Sequence, residues 1–335
     1  MAAFFFCRKD LFADRSFTDN AFLQTGSFIE REWKVGKEFC MKKLKISHNN
    51  MAYIYLLPWI IGLLMLQVYP FVKSFYYSLT DYNPLADPKF IGIANYVRLF
   101  TKDKEFGKSL AATIEYVLVT VPFKIIMSLV IAMLLNKGRK GIGALRTIYY
   151  LPSLFGGSIA VAVLWKVMFM DQGMINAFLN KIGIGTISFF GNPSTALPTL
   201  SSLEVWQFGS SMVMFLAALK QVPSSLYEAA EIDGASKVKS FFSITLPQIS
   251  PIIFFCIIMQ TVNALQNFTS AFVITQGGPL KSTYMLGLKL YNDGFLYMKM
   301  GYASATSWVI FGLVMIFTLV LFGTSRFWVF YGDED

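Results

Sequence analysis

Six apolar segments, each long enough to cross a lipid bilayer, constrain this chain more than any other feature; they fall at 51–79, 110–136, 143–170, 199–219, 250–275 and 303–325. A hydrocarbon core about 30 Å thick is crossed by about 20 helical residues. Several of the segments exceed that length, which predicts tilt or extension beyond the lipid. Runs of this kind are helical, because lipid offers no partner to a free backbone N–H or C=O. A membrane barrel would alternate apolar and polar residues instead. Only 15% of the residues are charged and the mean hydropathy is +0.53. The expected fold class is therefore an all-α membrane protein with six transmembrane helices.

Charge speaks to topology rather than to chemistry. The net charge is +9, but the basic residues sit between and beside the apolar runs, so membrane orientation explains them and nucleic acid is not an expected partner. With the N-terminus inside, cytoplasmic flanks hold Lys42, Lys43, Lys45, Lys137, Arg139, Lys140, Arg146, Lys220, Lys237, Lys239 and Arg326. The opposite loops are also basic, with Lys89, Arg98, Lys102, Lys104, Lys108, Lys181, Lys281, Lys289 and Lys299. The bias favours cytoplasmic N- and C-termini only modestly. Cys7, Cys40 and Cys256 form no framework, His48 is the sole histidine, and no metal or catalytic site is expected.

The domain division reads as an N-terminal tail at 1–50, a membrane domain at 51–331 and a C-terminal tail at 332–335. Residues 1–40 have no helical period and lack a signal-peptide core, which suggests a mis-assigned extension or a disordered tail. The connections 81–108, 171–198 and 277–302 carry Gly, Pro and Asn among apolar residues and are expected to hold short interfacial helices. They could form a surface for an external partner or simply cap the bundle.

The stretch 225–247, SLYEAAEIDGASKVKSFFSITLP, is the most informative. Pro223 suits the opening of a helix, and Ser225 with Glu228 has the spacing of a capping box. Ala229 and Ala230 allow another surface to approach closely. Gly234 is able to take a positive φ and end the helix, after which Ser236 starts a second short one. Pro247 and Pro251 bracket the start of the fifth span. The pattern predicts a helix–bend–helix between two spans.

Glu228-Ala229-Ala230, three residues, Gly234, nine residues, Ile244, one residue, then Leu246-Pro247 resembles the EAA loop of binding-protein-dependent ABC importer permeases. The resemblance extends over most of 51–331. Its carbohydrate-uptake branch, the sugar permeases of the maltose-transporter F-subunit type, is similar in further segments: 90–96 (FIGIANY), Arg146 with Tyr150 and Pro152, Gly173 with Asn176, 275–279 (TQGGP) and 300–305 (MGYASA). That F-subunit has extra N-terminal spans and a large outer domain which this chain lacks.

The resemblance implies a type I ABC importer permease fold. It makes 223–247 a cytoplasmic coupling loop, in which Glu228, Ala229, Ala230, Asp233, Gly234, Leu246 and Pro247 meet a nucleotide-binding subunit. It implies a second permease as heterodimer partner, two ATP-binding subunits and an extracytoplasmic solute-binding protein, in a bacterial cytoplasmic membrane. ATP and Mg would belong to the ATP-binding subunits. This chain has no GxxxxGK[ST] loop and is expected to bind no cofactor and to be no enzyme.

Polar residues within spans are candidates for the solute pathway. Gln260, Asn263 and Asn267 fall at helical spacing in the fifth span, as cavity lining or as interhelical glue. Trp206 and Gln207, read as lying toward the outer part of the fourth span, would stack on and hydrogen-bond a sugar, or anchor an interface. Glu115 and Glu204 read as solvated at outer ends. Lys124, mid-span, needs a cavity, a partner acid or a route to the interface. The alternative function is a secondary transporter driven by an ion gradient, which would place acids at mid-span and show inverted repeats. A membrane enzyme would need a polar catalytic cluster, and none is visible in the sequence.

Overall fold

The computed structural model describes residues 48–136 and 141–330. The expectations for the two terminal tails lie almost wholly outside these residues. The chain divides into two compact units, one ending at Pro70 and the other starting at Phe71.

The described part of the first unit is helical. α1 (His48–Leu63) passes through a π-helical turn (Leu64–Val68) into the first two residues of α2 (Tyr69–Ser78), the rest of which belongs to the second unit. None of the apolar window within Tyr55–Ser78 is buried by the chain itself. Tyr53, Trp59 and Leu66 all lie exposed, as suits a helix whose surroundings are lipid or another polypeptide.

The second unit is organised around α4 (Lys104–Leu135). Asp103 caps it, its Oδ1 accepting hydrogen bonds from the amides of Glu105 (2.9 Å) and Phe106 (3.1 Å). α4 packs against α8 (Pro193–Trp206), α9 (Gly209–Gln221) and α13 (Ser250–Leu265). Tyr116, Leu200, Met212, Phe215 and Leu265 form the centre of this core. α9 also lies against α5 (Ile142–Leu154). A side chain at Gly209 would place its Cβ 2.6 Å from Ser153 Oγ and 2.7 Å from the Tyr149 carbonyl, so only glycine permits that approach.

Among the described residues four stretches are long and apolar enough to cross a membrane: Tyr55–Ser78, Lys104–Leu135, Ile159–Lys181 and Met300–Ser325. Two bent pairs, Pro193–Trp206 with Gly209–Gln221 (48°) and Lys237–Gln248 with Ser250–Leu265 (67°), bring the spans to six. The expected number holds, but the expected continuity does not. The third segment breaks at Gly156-Gly157, separating α5 from α6 (Ile159–Phe169) and moving the third span toward the C-terminus. The fourth breaks at Gln207, between α8 and α9. The fifth ends its helix at Leu265 and resumes as a π-helical turn at Ala271–Thr275. Apolar composition reports depth in the membrane, and says nothing about whether the backbone stays helical there.

The connections contain the expected short helices, α3 (Ala94–Thr101), α7 (Met174–Lys181) and α14 (Leu286–Tyr291). The first also contains a hairpin that was not expected. β1 (Thr80–Asn83) pairs antiparallel with β2 (Ala86–Phe90), Thr80 opposite Phe90. Asn95 fastens the preceding turn, its Nδ2 donating to the carbonyls of Ser78 and Thr80 at 2.9 Å each.

Lys289, counted above among loop charges, is in fact buried. Its Nζ lies 2.7 Å from Asp103 Oδ2 and 3.0 Å from Asp293 Oδ2. Tyr302, in α15 (Met300–Ser325), donates to Asp103 Oδ2 at 2.6 Å. Burial by itself pushes the Asp103 carboxyl up, but hydrogen bonds from Lys289 and Tyr302 and the Lys289 charge outweigh it. The result is about 2 against an ordinary 3.8. For Asp293 burial prevails and raises the carboxyl, with Lys289 offsetting only part of it. This cluster ties the start of α4 to α14 and α15.

Candidate solute cavity and coupling hairpin

Three of the helix breaks, at Gly156-Gly157, at Gln207 and beyond Leu265, open onto one cavity of about 400 Å³. Gly156, Gly157 and Ser158 border it from the first break, Gln207 from the second, and Gln266 to Ser270 from the third. A broken membrane helix frees backbone polar groups, which persist where they line a water-filled space or meet protein. Ser153 meets one such pair: its Oγ donates to the Gln207 carbonyl and accepts from the Ser210 amide, both at 3.2 Å. The neighbouring helix α5 thus repairs the break between α8 and α9.

Gln260, Asn263, Asn267 and Gln207 all border this cavity. The expected single helical face is corrected in detail, because Asn267 lies beyond the end of α13. Gln260 donates to Ser211 Oγ at 3.1 Å, and Asn267 donates to Tyr116 OH at 2.9 Å while accepting from Ser270 Oγ at 2.6 Å. These two amides both hold helices together and line the cavity, so the two alternatives coexist. Asn263 is exposed and makes no hydrogen bond among the described residues.

Trp206 does not border the cavity. Its ring packs on Trp165 with centroids 5.4 Å apart, and it stands with Gln207 at the bend of the fourth span rather than toward an end. Glu204 is likewise no solvated end residue. It accepts from Lys124 Nζ at 2.5 Å, and both side chains border the cavity. A partner acid and a cavity together account for the mid-span lysine. The sequence offered no signal for this pair, since the two residues are 80 positions apart. Glu115 is exposed as expected.

The helix–bend–helix is present. α10 (Ser224–Ile232) starts two residues earlier than the capping-box spacing requires. Pro223 occupies the N-cap, so Ser225 falls inside the first turn and no side chain caps the helix. Gly234, with φ +72°, terminates it. The Ala235 amide then bonds the Ala230 carbonyl at 2.9 Å. Ser236 caps α11 (Lys237–Ser240) by accepting from the Lys239 amide. A π-helical turn (Phe241–Thr245) and α12 (Leu246–Gln248) lead into α13. The Tyr227 and Thr245 hydroxyls, 2.8 Å apart, brace α10 against the returning strand of chain.

Neither α10 nor α11 buries a single residue. Glu228, Ala229, Asp233 and Gly234 are exposed and Ala230 is half-buried, while Leu246 and Pro247 are partly buried at the foot of the hairpin. Ile232 is 87% exposed, and Val238 and Phe242 are also largely bare.

A chain that crosses the membrane repeatedly, encloses a polar cavity at its helix breaks and projects an exposed hairpin is a permease. It belongs to the family of binding-protein-dependent transport system inner membrane components, matched over residues 92–331. The probable ABC transporter permease protein YesP of Bacillus subtilis is 45% identical over 304 residues, covering 90% of this chain and 98% of that protein. The trehalose/maltose transport system permease protein MalF of Thermococcus litoralis is 33% identical, covering 85% and 97%. The lactose transport system permease protein LacF of Rhizobium radiobacter is 32% identical, covering 84% and 96%. The fold is shared with a chain of a bacterial ABC transporter involved in the import of alginate, at a TM-score of 0.72 and 23% identity over 88% of this chain and 98% of that one.

Proposed function

We propose that this chain forms half of the translocation pathway of an ATP-driven sugar importer in the bacterial cytoplasmic membrane. The other half is a second, different permease. Two nucleotide-binding subunits hold ATP and Mg, and an extracytoplasmic binding protein delivers the solute. The termini and the 223–247 hairpin lie on the cytoplasmic side. Glu228, Ala229, Ala230, Asp233 and Gly234 make the contact with the nucleotide-binding subunit, and Leu246 and Pro247 carry it into α13.

The observation that carries this reading is the bare hairpin: a well-formed helix–bend–helix that buries nothing of its own and exposes Ile232, Val238 and Phe242. The sugar assignment is supported by the relatives, named for trehalose/maltose and lactose transport, and by a cavity rich in amides and hydroxyls. Gln260, Asn263, Asn267 and Gln207 line the solute path, and Trp206 supports it from behind. The mechanism is alternating access, with nucleotide-driven closure of the partner subunits moving the hairpin and, through it, the spans.

Purification from mild detergent tests the assignment. Nucleotide-binding subunits are expected to accompany the wild-type chain and to be lost from a Glu228→Lys variant. Uptake into vesicles that persists without ATP and follows an ion gradient would overturn it, as would labelling of 228–247 from the outer face.

A further inference from the structure

The Lys124–Glu204 pair is an unusual occupant of a membrane-embedded cavity. Charged side chains inside a bilayer are costly and mark function more often than architecture. As architecture the pair is a poor choice, because two well-packed apolar residues at such a site hold helices together as well or better. The cavity is meanwhile well supplied with neutral amides from Gln260, Asn263 and Gln266.

The two partners are not equivalent. The Lys124 side chain is 5% exposed and that of Glu204 25%. Glu204 Oε1 takes the lysine. The other carboxylate oxygen accepts no hydrogen bond among the described residues and is not among the buried unpaired atoms. The Glu204 carboxylate therefore borders the cavity with one oxygen paired to Lys124 and one available. Hydrogen bonds to an ionised acceptor are stronger and shorter than those to an amide.

We propose that Glu204 is a specificity-determining solute contact, its free carboxylate oxygen accepting a hydrogen bond from a hydroxyl of a polyhydroxy solute. Lys124 is a positioning residue that holds the carboxylate oriented within the membrane. This rests on the reading of the cavity as the solute path of a sugar importer. It adds that recognition inside the membrane reads a hydroxyl through a charged acceptor, beyond the neutral amides.

The test uses the complete importer, with its binding protein, in proteoliposomes supplied with ATP. Probes are radiolabelled maltose, trehalose, lactose and an alginate-derived uronate oligosaccharide, together with monodeoxy analogues of whichever is taken up. For that solute the wild type is expected to prefer the parent over at least one deoxy analogue by roughly tenfold, and Glu204→Gln to cut parent uptake by a similar factor while narrowing the preference to about twofold. A charge-exchanged variant, Lys124→Glu with Glu204→Lys, regains assembly and thermal stability but not parent uptake. Restoration of uptake by the exchanged pair would overturn the proposal, because it would make the pair purely structural. Wild-type uptake and selectivity in Glu204→Gln would do the same, as would failure of both variants to assemble. Uptake of none of the probes by an assembled wild-type complex would remove the sugar reading and this inference together.

Discussion

The hairpin and the bundle it joins obey different constraints. α10 and α11 bury nothing, whereas α4, α8 and α9 contribute Tyr116, Leu200, Met212 and Phe215 to a closed core. The hairpin's shape is nevertheless well defined, by Gly234 at the turn, Ser236 at the second cap and the Tyr227–Thr245 brace. The hairpin's shape is set by turn and cap geometry rather than by burial. In the bundle, packing within the chain does the specifying.

If that contrast is right, the same kind of truncation has opposite consequences in the two regions. Phe215→Ala removes a fully buried ring and is expected to destabilise the bundle by about 3–5 kcal/mol, read as lost thermal stability in detergent. Lys124→Met strands Glu204 without its partner and is expected to cost about 3 kcal/mol on the same measurement. Asp103→Asn keeps an N-cap residue but loses the low-lying carboxyl. The native Asp103 lies at about 2 against 3.8, so its stabilisation is complete above the higher value and is lost as pH falls through the lower one. Acid titrations of Tm should therefore flatten in the variant between those two values. Ile232→Ala is expected to change stability by less than about 0.5 kcal/mol, yet to weaken the association with nucleotide-binding subunits seen by co-purification. An Ile232→Ala chain that melts as early as Phe215→Ala would erase the distinction between the two regions.

The same contrast governs what could be read from residue order. The hairpin is local: Pro223, Gly234 and Ser236 act within a turn or two, so its outline is legible, and the N-cap falls at Pro223, two residues ahead of Ser225. The number of spans was legible too, because hydropathy sums over each segment separately. The helix breaks were not. What makes the break at Gln207 tolerable is Ser153, a hydroxyl from a different helix. Lys124 visibly needed a partner, but Glu204 becomes that partner only when α4 and α8 are packed side by side. Lys289 looked like a loop charge because Asp103 and Tyr302, which bury and neutralise it, sit in other elements. Each miss involves a polar group whose environment is supplied by distant chain.

The Tyr227–Thr245 brace has a mechanical corollary. It joins α10 to the segment that runs through Leu246 and Pro247 into α13, so a push on the tip is not absorbed by independent wagging of the short helix. α13 has 16 residues and so spans about 24 Å at 1.5 Å per residue. Pivoting such a rod by about 5° sweeps its far end through about 2 Å, and that far end bears Gln260 and Asn263. A displacement of that size is enough to make or break a hydrogen bond, so a slight rocking at the foot of the rod re-sets the polar contacts near its far end.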